Sequence, residues 1–366
     1  GSRREAGSRD IAPSSSLTNA PQDDFDSVLK LIETARTRAV AAVNTTLIEL
    51  YWSIGEFIQR KIADDGWGKG TVEDLAEHIR RKQPNVRGFS ARNLWRMMQF
   101  FETYRNQPKL ATLVRELSWS HNLAILSRSK RDEEREFYLR MATKERWSFR
   151  ELQRQLSGAL FERVVLSPPK LSTPLAELHP DAATTFKDSY LVEFLDLPAA
   201  HSEDDLQRAL IANLRQFLLE LGSDFTFVGE QYRLQVGGRD FFLDLLFFHR
   251  GLTCLVAFEL KIEQFEPSDL GQLEFYLEAL DRDVKKPHER PSIGVLLCAT
   301  KDQEVVEYAL SRAVSPALVA EYQTKLPDKK LLQAKLQEFY EQAREQVSIP
   351  TIENDKPAKP RKNRKT

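Results

Sequence analysis

Three charged residues stand inside two apolar stretches of the chain that otherwise have the composition of β-strands. Asp244 lies in the run of residues 241–248, and Glu259 and Lys261 lie in the run of residues 253–261. Burying a carboxylate or an ammonium without a partner is very costly, so each charge needs an ion or a counter-charge beside it. A divalent cation bound by the two carboxylates, with the lysine next to it, would provide that compensation. Such a group is also able to cleave a phosphodiester bond.

The spacing of the two runs predicts that these charges meet. Residues 249–252 separate two segments rich in aromatic and β-branched residues, which indicates a β-hairpin. Side chains alternate along a strand, so Glu259 and Lys261 share one face. With that loop Asp244 lies opposite Ala257, and Asp244 and Glu259 are diagonal neighbours about 7–8 Å apart at the backbone. A register slip of one residue would separate them onto opposite faces.

The residue types then suggest a particular ion. Mg²⁺ prefers hard oxygen ligands in an octahedron and keeps several of its waters. Asp244, Glu259 and the carbonyl of Leu260 would hold it, leaving positions for water and for a phosphate oxygen. Lys261 would orient that water or stabilise the transition state as a compact point charge. The alternative is a buried ion pair within a sheet, but an aspartate beside a Glu-x-Lys pair on one predicted face favours the metal site.

Several stretches around these charges match the pattern of a known family. They are residues 217–222 (FLLELG), 227–231 (FVGEQ), 243–250 (LDLLFFHR), 259–261 (ELK), 271–277 (GQLEFYL) and 293–298 (IGVLLC). Through them the C-terminal segment resembles the nuclease domain of the YhcG-like branch of the PD-(D/E)XK nucleases. The resemblance implies an α/β, restriction-endonuclease-like domain with a core in the order α-β-β-β-α-β.

The resemblance also assigns roles to residues of the site. It implies that Asp244 is the motif aspartate, that Glu259 and Lys261 are the Glu-x-Lys, and that Gln272 lines the site from the following helix. One departure is that Leu243 stands where the motif has its proline, which is often absent in this superfamily.

Two further residues are candidates for contact with substrate. Tyr276 lies one helical turn from Gln272 and can face the same way. Glu230 shares the predicted sheet and is a candidate for a further carboxylate, although solvation on an edge strand is the favoured alternative.

The N-terminal half is predicted to be helical. Apolar residues recur at spacings of three and four over residues 24–63, which predicts one long helix or two in sequence. A short helix is predicted over residues 71–81 with Thr71 as its N-cap, and a third helix starts after Ser90 and ends near residue 104. Two short helices joined by a tight turn are typical of a helix-turn-helix or winged-helix-like unit.

The second of these short helices carries residues suited to nucleic acid. Arg92, Asn93 and Arg96 are predicted to be exposed, where they could contact phosphates and base edges. An ordinary helical bundle with a solvated polar face would show the same pattern. The stretch also resembles the N-terminal domain found with YhcG-like nucleases, which favours binding of nucleic acid or of a partner.

Composition limits the remaining possibilities. The formal net charge of −1 over 366 residues excludes a globally basic protein. Cys254 and Cys298 lie in predicted core strands and read as buried small hydrophobes, which fits a reducing cytoplasm. No apolar run approaches the ~18 residues of a transmembrane helix, so no membrane partner is expected. The predicted organisation is a disordered segment (1–22), a helical DNA- or partner-binding domain (23–165), a linker (166–186), a PD-(D/E)XK nuclease domain (187–345) and a basic disordered tail (346–366).

The leading interpretation of the sequence is an Mg²⁺-dependent endonuclease, in which Mn²⁺ could substitute. By resemblance its substrate is DNA and its role is restriction-like or in phage defence. Double-strand cleavage would require two active sites, so a homodimer is expected, or a partner in a restriction or defence system. Two alternatives stay open. One is a catalytically inactive DNA-binding or assembly protein, and the other is an RNA-cleaving enzyme of the same fold.

Overall fold

A computed structural model describes residues 20–198 and 200–347, with side chains described from residue 43 to residue 342. Two compact units divide the described chain between Ser127 and Arg128. Of the predicted N-terminal segment 1–22, residues 1–19 lie outside the described residues. Residues 20–22 belong to the first helix. Of the predicted tail 346–366, only residues 346 and 347 are described.

The first unit is helical, as predicted. Its helices are α1 (Ala20–Asp65), α2 (Lys69–Lys82), α3 (Ala91–Tyr104), α4 (Ala111–Glu116) and α5 (Trp119–Arg128), with a 3₁₀ turn at Pro108–Leu110. Ser90 caps α3 as predicted, because its hydroxyl accepts a hydrogen bond from the Asn93 amide at 3.3 Å. The predicted N-cap Thr71 is wrong, since α2 begins two residues earlier after Gly68, which offers no side-chain cap. No strand occurs among residues 20–127, so these residues do not form the wing of a winged helix.

Close packing of α1 on α3 holds this unit together. At Gly55 an added Cβ would lie only 2.2 Å from the Met97 carbonyl oxygen, so the crossing admits no side chain there. Ile58, Leu94 and Met97 are fully buried around the crossing. The crossing therefore fixes the position of α3, the helix that carries Arg92 and Arg96.

The second unit is an α/β structure. Its helices are α6 (Asp132–Lys144), α7 (Phe149–Ser157), α8 (Leu160–Leu166), α9 (Thr173–Leu178), α10 (Ala182–Thr185), α11 (Glu203–Ala212), α12 (Leu214–Leu221), α13 (Asp269–Ala279), α14 (Gln303–Ser311) and α15 (Lys329–Val347). Its strands are β1 (Ser189–Leu191), β2 (Phe225–Val236), β3 (Arg239–His249), β4 (Cys254–Gln264), β5 (Ile293–Thr300) and β6 (Ala317–Gln323). The predicted order α-β-β-β-α-β is present, and β1 and β6 extend it.

The strands form one mixed sheet in the order β1-β6-β5-β4-β3-β2. Strands β4, β5, β6 and β1 run parallel, whereas β2 and β3 continue the sheet as antiparallel neighbours. Helices α11 and α12 pack on one face of the sheet, and α13 and α14 pack on the other. The central strands are buried on both sides, as the apolar run of β5 indicates.

The two hairpins of the sheet set the register of the candidate site. Gly237 and Gly238 have φ values of +58° and +77°, as the turn between β2 and β3 requires. In the second hairpin Leu246, and not Asp244, lies opposite Ala257. Residues 250–253 make the turn, so the predicted loop of residues 249–252 was one residue too early. The pairing of β3 with β4 is consequently shifted by two residues. A shift of two residues preserves which residues share a face wherever the two strands pair regularly.

The segment predicted as a linker, residues 166–186, is folded. It contains α9 and α10, and Leu175 and Ala182 are fully buried in the core of the second unit. Ser172 binds the first residue of β6 twice, since its amide donates to the Ala317 carbonyl at 3.0 Å and its hydroxyl accepts from the Ala317 amide at 2.9 Å. Its polar composition resembles that of a linker, but these tertiary bonds order it.

A buried ionic cluster joins α7, α8, α12 and the start of β1. Glu220 is fully buried, and its carboxylate lies 2.8 Å from Arg154 Nη1, 3.0 Å from Lys187 Nζ and 3.9 Å from Arg163 Nη2. The backbone amide of Leu191 donates to the same carboxylate at 3.1 Å. Burial by itself would raise the pKa of Glu220, but the three cations outweigh it and hold the pKa at about 2. This carboxylate is therefore fully compensated by the protein.

Candidate metal centre

Asp244 lies at a local irregularity of the sheet. Its neighbours Leu243 and Leu245 pack into opposite hydrophobic layers, although residues two apart on a strand normally share a face. Across from Asp244 on β2, Gln231 has a φ of +42°, which a residue other than glycine rarely adopts. The backbones of β2 and β3 are thus both distorted at this one level, where the aspartate leaves the regular alternation.

Three hydrogen bonds then fix Asp244. Its Oδ2 accepts from the Leu260 backbone amide at 2.9 Å, and its Oδ1 accepts from Gln231 Nε2 at 3.0 Å. Its own carbonyl oxygen accepts from Gln207 Nε2 at 3.1 Å. Burial raises the pKa of Asp244, while the Leu260 amide, Lys261 and Gln231 oppose that shift.

Glu259 lies on β4 beside this aspartate and is buried, with 3% of its surface exposed. Its Oε1 lies 3.4 Å from Lys261 Nζ, and its Oε2 is buried with no hydrogen-bond partner. Burial raises the pKa of Glu259 to about 7, repulsion by the Asp244 carboxylate adds to the rise, and Lys261 opposes it. In contrast to Glu220, this carboxylate is left short of positive charge.

Lys261 is the cation nearest to the two carboxylates. Burial by itself would lower its pKa, but Glu259 and Glu203 outweigh burial and raise it, so the ammonium stays charged. Glu203, at the start of α11, lies 3.9 Å from Lys261 Nζ. A capping box between Ser202 and Asp205 fixes this end of the helix. It also occupies the Asp205 carboxylate, which leaves Glu203 and Asp204 facing an open pocket of about 400 Å³ beside Lys261.

Gln272 and Tyr276 meet on α13, as their spacing predicts. Gln272 Nε2 donates to the Tyr276 hydroxyl at 2.8 Å. Tyr276 is buried, and burial raises the pKa of its hydroxyl, with a smaller contribution from the negative charges of Glu259 and Asp244. The Tyr276 hydroxyl therefore senses the charge of the two carboxylates, and Gln272 is linked to it by the hydrogen bond.

The donor set fits a divalent cation with few protein ligands. Among the described residues, no three His, Cys, Asp or Glu side chains form a closed metal cage. Two carboxylates beside a lysine suit Mg²⁺, which usually keeps several waters and takes only one or two carboxylates from the protein. The unpartnered Oε2 of Glu259 is the observation that supports the fit, because a cation would satisfy it.

The other predicted substrate contacts have different surroundings. Arg92 is exposed on α3 and Arg96 is half-buried. The amide of Asn93 is occupied inside the helical unit, since it donates to the Gly88 carbonyl and accepts from Trp119 Nε1 at 3.0 Å. Glu230 is exposed on the edge strand β2, and none of the described hydrogen bonds or ion pairs joins it to Asp244. The structure thus groups Asp244, Glu259 and Lys261, and it joins Gln272 to Tyr276.

Two residues of the site were missed from the sequence, Gln207 of α11 and Gln231 of β2. Gln231 lies in the stretch 227–231 that carries the family resemblance, so a signal existed, but its amide has no charge that would mark it. Gln207 follows Glu203 by one helical turn on the same face of α11, which was the available signal for it.

Comparison with known proteins gives matches along most of the chain. The model of the YhcG PDDEXK nuclease domain matches residues 183–337, and that of the DUF1016 N-terminal domain matches residues 27–163. An Escherichia coli (strain K12) protein named "Putative nuclease YhcG" is 34% identical over 372 aligned positions, which cover 89% of this chain and 98% of that protein.

Solved structures show a much weaker likeness. A repair endonuclease from Pyrococcus abyssi is 13% identical, with 36% of this chain and 50% of that chain covered and a TM-score of 0.24. The EndoMS–dsDNA2 complex is 16% identical, with 36% and 48% covered and a TM-score of 0.24. The chain spans about half the length of these two solved chains. No helix among the described residues is long and apolar enough to cross a membrane.

Proposed function

The chain belongs to the YhcG family of PDDEXK nucleases, and we propose that it is a divalent-metal-dependent endonuclease that hydrolyses phosphodiester bonds of DNA. Glu259 carries this proposal. Its Oε2 is buried and unpartnered, and among the described residues its counter-charge is Lys261, which it shares with Asp244. A bound cation would give Glu259 Oε2 the partner that it lacks, and it would offset the repulsion between the two carboxylates.

In this proposal Asp244, Glu259 and the Leu260 carbonyl hold Mg²⁺, with Mn²⁺ as a substitute. When bound, such an ion supplies an acidified water and neutralises charge on the scissile phosphate. Lys261 donates from Nζ to the attacking water or to a phosphate oxygen, and its raised pKa keeps the proton on that atom. Gln272 and the Tyr276 hydroxyl, joined to each other, orient the substrate at the side of the site formed by α13.

The helical part of the chain would bind the DNA. We propose that α2 and α3 act as a helix-turn-helix, with Arg92 and Arg96 on phosphates, within a binding domain 23–165 that accompanies a nuclease domain 187–345. Cutting both strands needs two active sites, which favours a homodimer. A cytoplasmic, restriction-like or phage-defence role would follow from DNA cleavage, and reduced plaque formation that requires Asp244 would support it.

The first test is cleavage of a mixed panel of linear, supercoiled, single-stranded and branched DNA and of RNA, with Mg²⁺ or Mn²⁺. The matched control is Asp244→Ala, and calorimetric titration with Mn²⁺ runs in parallel. We expect metal-dependent DNA cleavage and metal binding in the wild type, and neither in Asp244→Ala.

The other outcomes identify the alternatives. Cleavage of RNA alone would replace DNA as the substrate. Metal binding without cleavage of any panel member would mean that the enzyme requires a target sequence or a partner outside the panel. The absence of both binding and cleavage would favour an inactive DNA-binding or assembly protein.

A further inference from the structure

We propose that Gln231 and Gln207 are positioning residues that aim the Asp244 carboxylate at the bound metal ion. This inference rests on the proposed function, because it takes Asp244 as a metal ligand. It concerns two side chains that would not touch the metal themselves. Gln231 lies on the neighbouring strand β2 and Gln207 lies on helix α11, and each donates a hydrogen bond to Asp244.

The hydrogen bonds to Asp244 restrict its rotation. A carboxylate has about four lone-pair sites, two on each oxygen. The Leu260 amide uses one site of Oδ2 at 2.9 Å, and Gln231 Nε2 uses one site of Oδ1 at 3.0 Å. Because the two donors come from strands on opposite sides of β3, the carboxylate cannot turn without losing one of them. One site on each oxygen remains for a cation.

Gln207 closes a ring with Gln231 and Asp244. Gln231 Nε2 donates both to Asp244 Oδ1 and to Gln207 Oε1, the latter at 2.9 Å, and Gln207 Nε2 donates to the Asp244 carbonyl at 3.1 Å. A flipped amide at Gln231 would set its oxygen against the carboxylate and against Gln207 Oε1. The ring therefore admits one orientation of each amide. Gln207 is buried, with 8% of its surface exposed, whereas Gln231 is exposed, so Gln207 is the member of the ring that is shielded from water.

The backbone of Gln231 gives independent support. Its φ of +42° lies in the left-handed region, where glycine would relieve the steric conflict of a side chain. Strained positions of this kind occur at functional sites when the surrounding structure compensates for them. Here the strain brings the Gln231 amide onto Asp244, which gives the glutamine a role that glycine lacks.

The test replaces the amide while keeping the size of the side chain. Gln231→Met and Gln207→Met are compared with Gln235→Met, which changes an exposed glutamine on the same strand. Calorimetric titration of the full chain with Mn²⁺ gives the affinity, and thermal unfolding without metal gives the stability. We expect about tenfold weaker Mn²⁺ binding for each of the two site variants, as for other residues that orient metal ligands, and no change for Gln235→Met.

A glycine variant separates positioning from a purely structural role. Gln231→Gly should unfold at the same or a higher temperature without metal, because the backbone strain is relieved, yet bind Mn²⁺ as weakly as Gln231→Met. The double variant Gln207→Met with Gln231→Met should lose less affinity than the product of the two single losses, because both act through one ring.

Two results would overturn the inference and are distinguishable. Wild-type Mn²⁺ affinity in Gln231→Met and Gln231→Gly, with a wild type that binds Mn²⁺, would remove the positioning role alone. Absence of Mn²⁺ binding by the wild type at millimolar concentration would remove the proposed metal site, and the inference with it.

Discussion

Two buried glutamates in the second unit, Glu220 and Glu259, have opposite electrostatic surroundings. Each has a lysine nearby, with Lys187 at 3.0 Å from Glu220 and Lys261 at 3.4 Å from Glu259. Glu220 also has two arginines and a backbone amide, whereas Glu259 has Asp244 as its additional neighbour. The pKa of the first is held at about 2, and that of the second is raised to about 7.

This contrast distinguishes a buried carboxylate that stabilises the fold from one that belongs to a functional site. A buried carboxylate whose hydrogen-bonding and charge requirements are met by the protein needs no ligand and joins elements of the fold. One that faces a like charge and keeps an unpartnered oxygen is stabilised only when a cation arrives.

Removal of the charge of Glu220 should cause the largest loss of stability. Glu220→Gln leaves Arg154 and Lys187 buried without their common partner, so we expect a loss of about 3–5 kcal/mol in the free energy of unfolding. Urea unfolding measures it. Glu136→Gln, which alters only the surface pair with Arg140, should change the same quantity by less than about 0.5 kcal/mol. A loss below about 1 kcal/mol for Glu220→Gln would contradict the compensation described above.

The two lysines should separate catalysis from folding. Lys261→Ala removes a charge placed for the transition state, so we expect cleavage to fall by at least about 100-fold while DNA affinity stays near wild type. Lys187→Ala should lower the unfolding temperature but keep cleavage at temperatures where the protein is folded. Cleavage and unfolding assays on both variants decide this. Full activity of Lys261→Ala would exclude its proposed role.

The two glutamates should give opposite dependences of stability on pH. The ordinary pKa is 4.5 for both, and burial raises that of Glu259 to about 7. The folded protein thus holds the Glu259 proton more tightly than the unfolded chain does. The contribution of Glu259 to the free energy of unfolding is therefore complete below pH 4.5 and is lost as the pH rises through 7. Glu220 contributes fully above pH 4.5, and its contribution is lost as the pH falls towards 2.

Glu259→Gln tests the first of these directions. In the metal-free protein the variant should gain stability over wild type as the pH rises from 5 to 8, by up to roughly 3 kcal/mol. Urea unfolding with EDTA at both pH values measures the gain, and Glu263→Gln, at an exposed position on the same strand, is the control. The variant should also lose Mn²⁺ binding. A gain that does not depend on pH would show that Glu259 is not the titrating group.

The smallest effect is expected at the two arginines of α3, which lie outside any buried ionic cluster of the described residues. Arg92→Ala with Arg96→Ala should weaken DNA binding and lower the slope of log affinity against log salt by roughly 2, without changing the rate on saturating substrate. Fluorescence anisotropy at several salt concentrations measures this. The exposed pair Arg282→Ala with Arg312→Ala serves as the control. Unchanged affinity would show that α3 is not a recognition helix.

The sequence revealed the charges of the candidate site but not their supports. Asp244, Glu259 and Lys261 could be identified because a charge inside an apolar strand is conspicuous. Their common location survived a register error, because a shift of two residues preserves the faces. Gln207 and Gln231 were missed because their signals were weak: neutral amides are common on surfaces, and their ring depends on a distortion of β2 that no local pattern specifies.

Two helix breaks in the second unit were also hidden from the sequence pattern. The structure divides each of the segments 148–164 and 203–221 into two helices, the first where Ala159 adopts a left-handed conformation and the second at Asn213. Helical periodicity continues across both breaks, so the pattern gave no warning. The Glu220 cluster was equally hidden, because its partners lie up to 66 residues away along the chain.

The ionic cluster has a consequence for how such a chain can be inherited. Arg154 and Arg163 lie within residues 27–163, matched by one family model, while Lys187 and Glu220 lie within residues 183–337, matched by the other. A gene fragment that encodes only the second part would produce Glu220 without Arg154 and Arg163. The two matched segments are therefore expected to occur together in one gene. A recombination between them would need to replace the arginines and the glutamate at the same time.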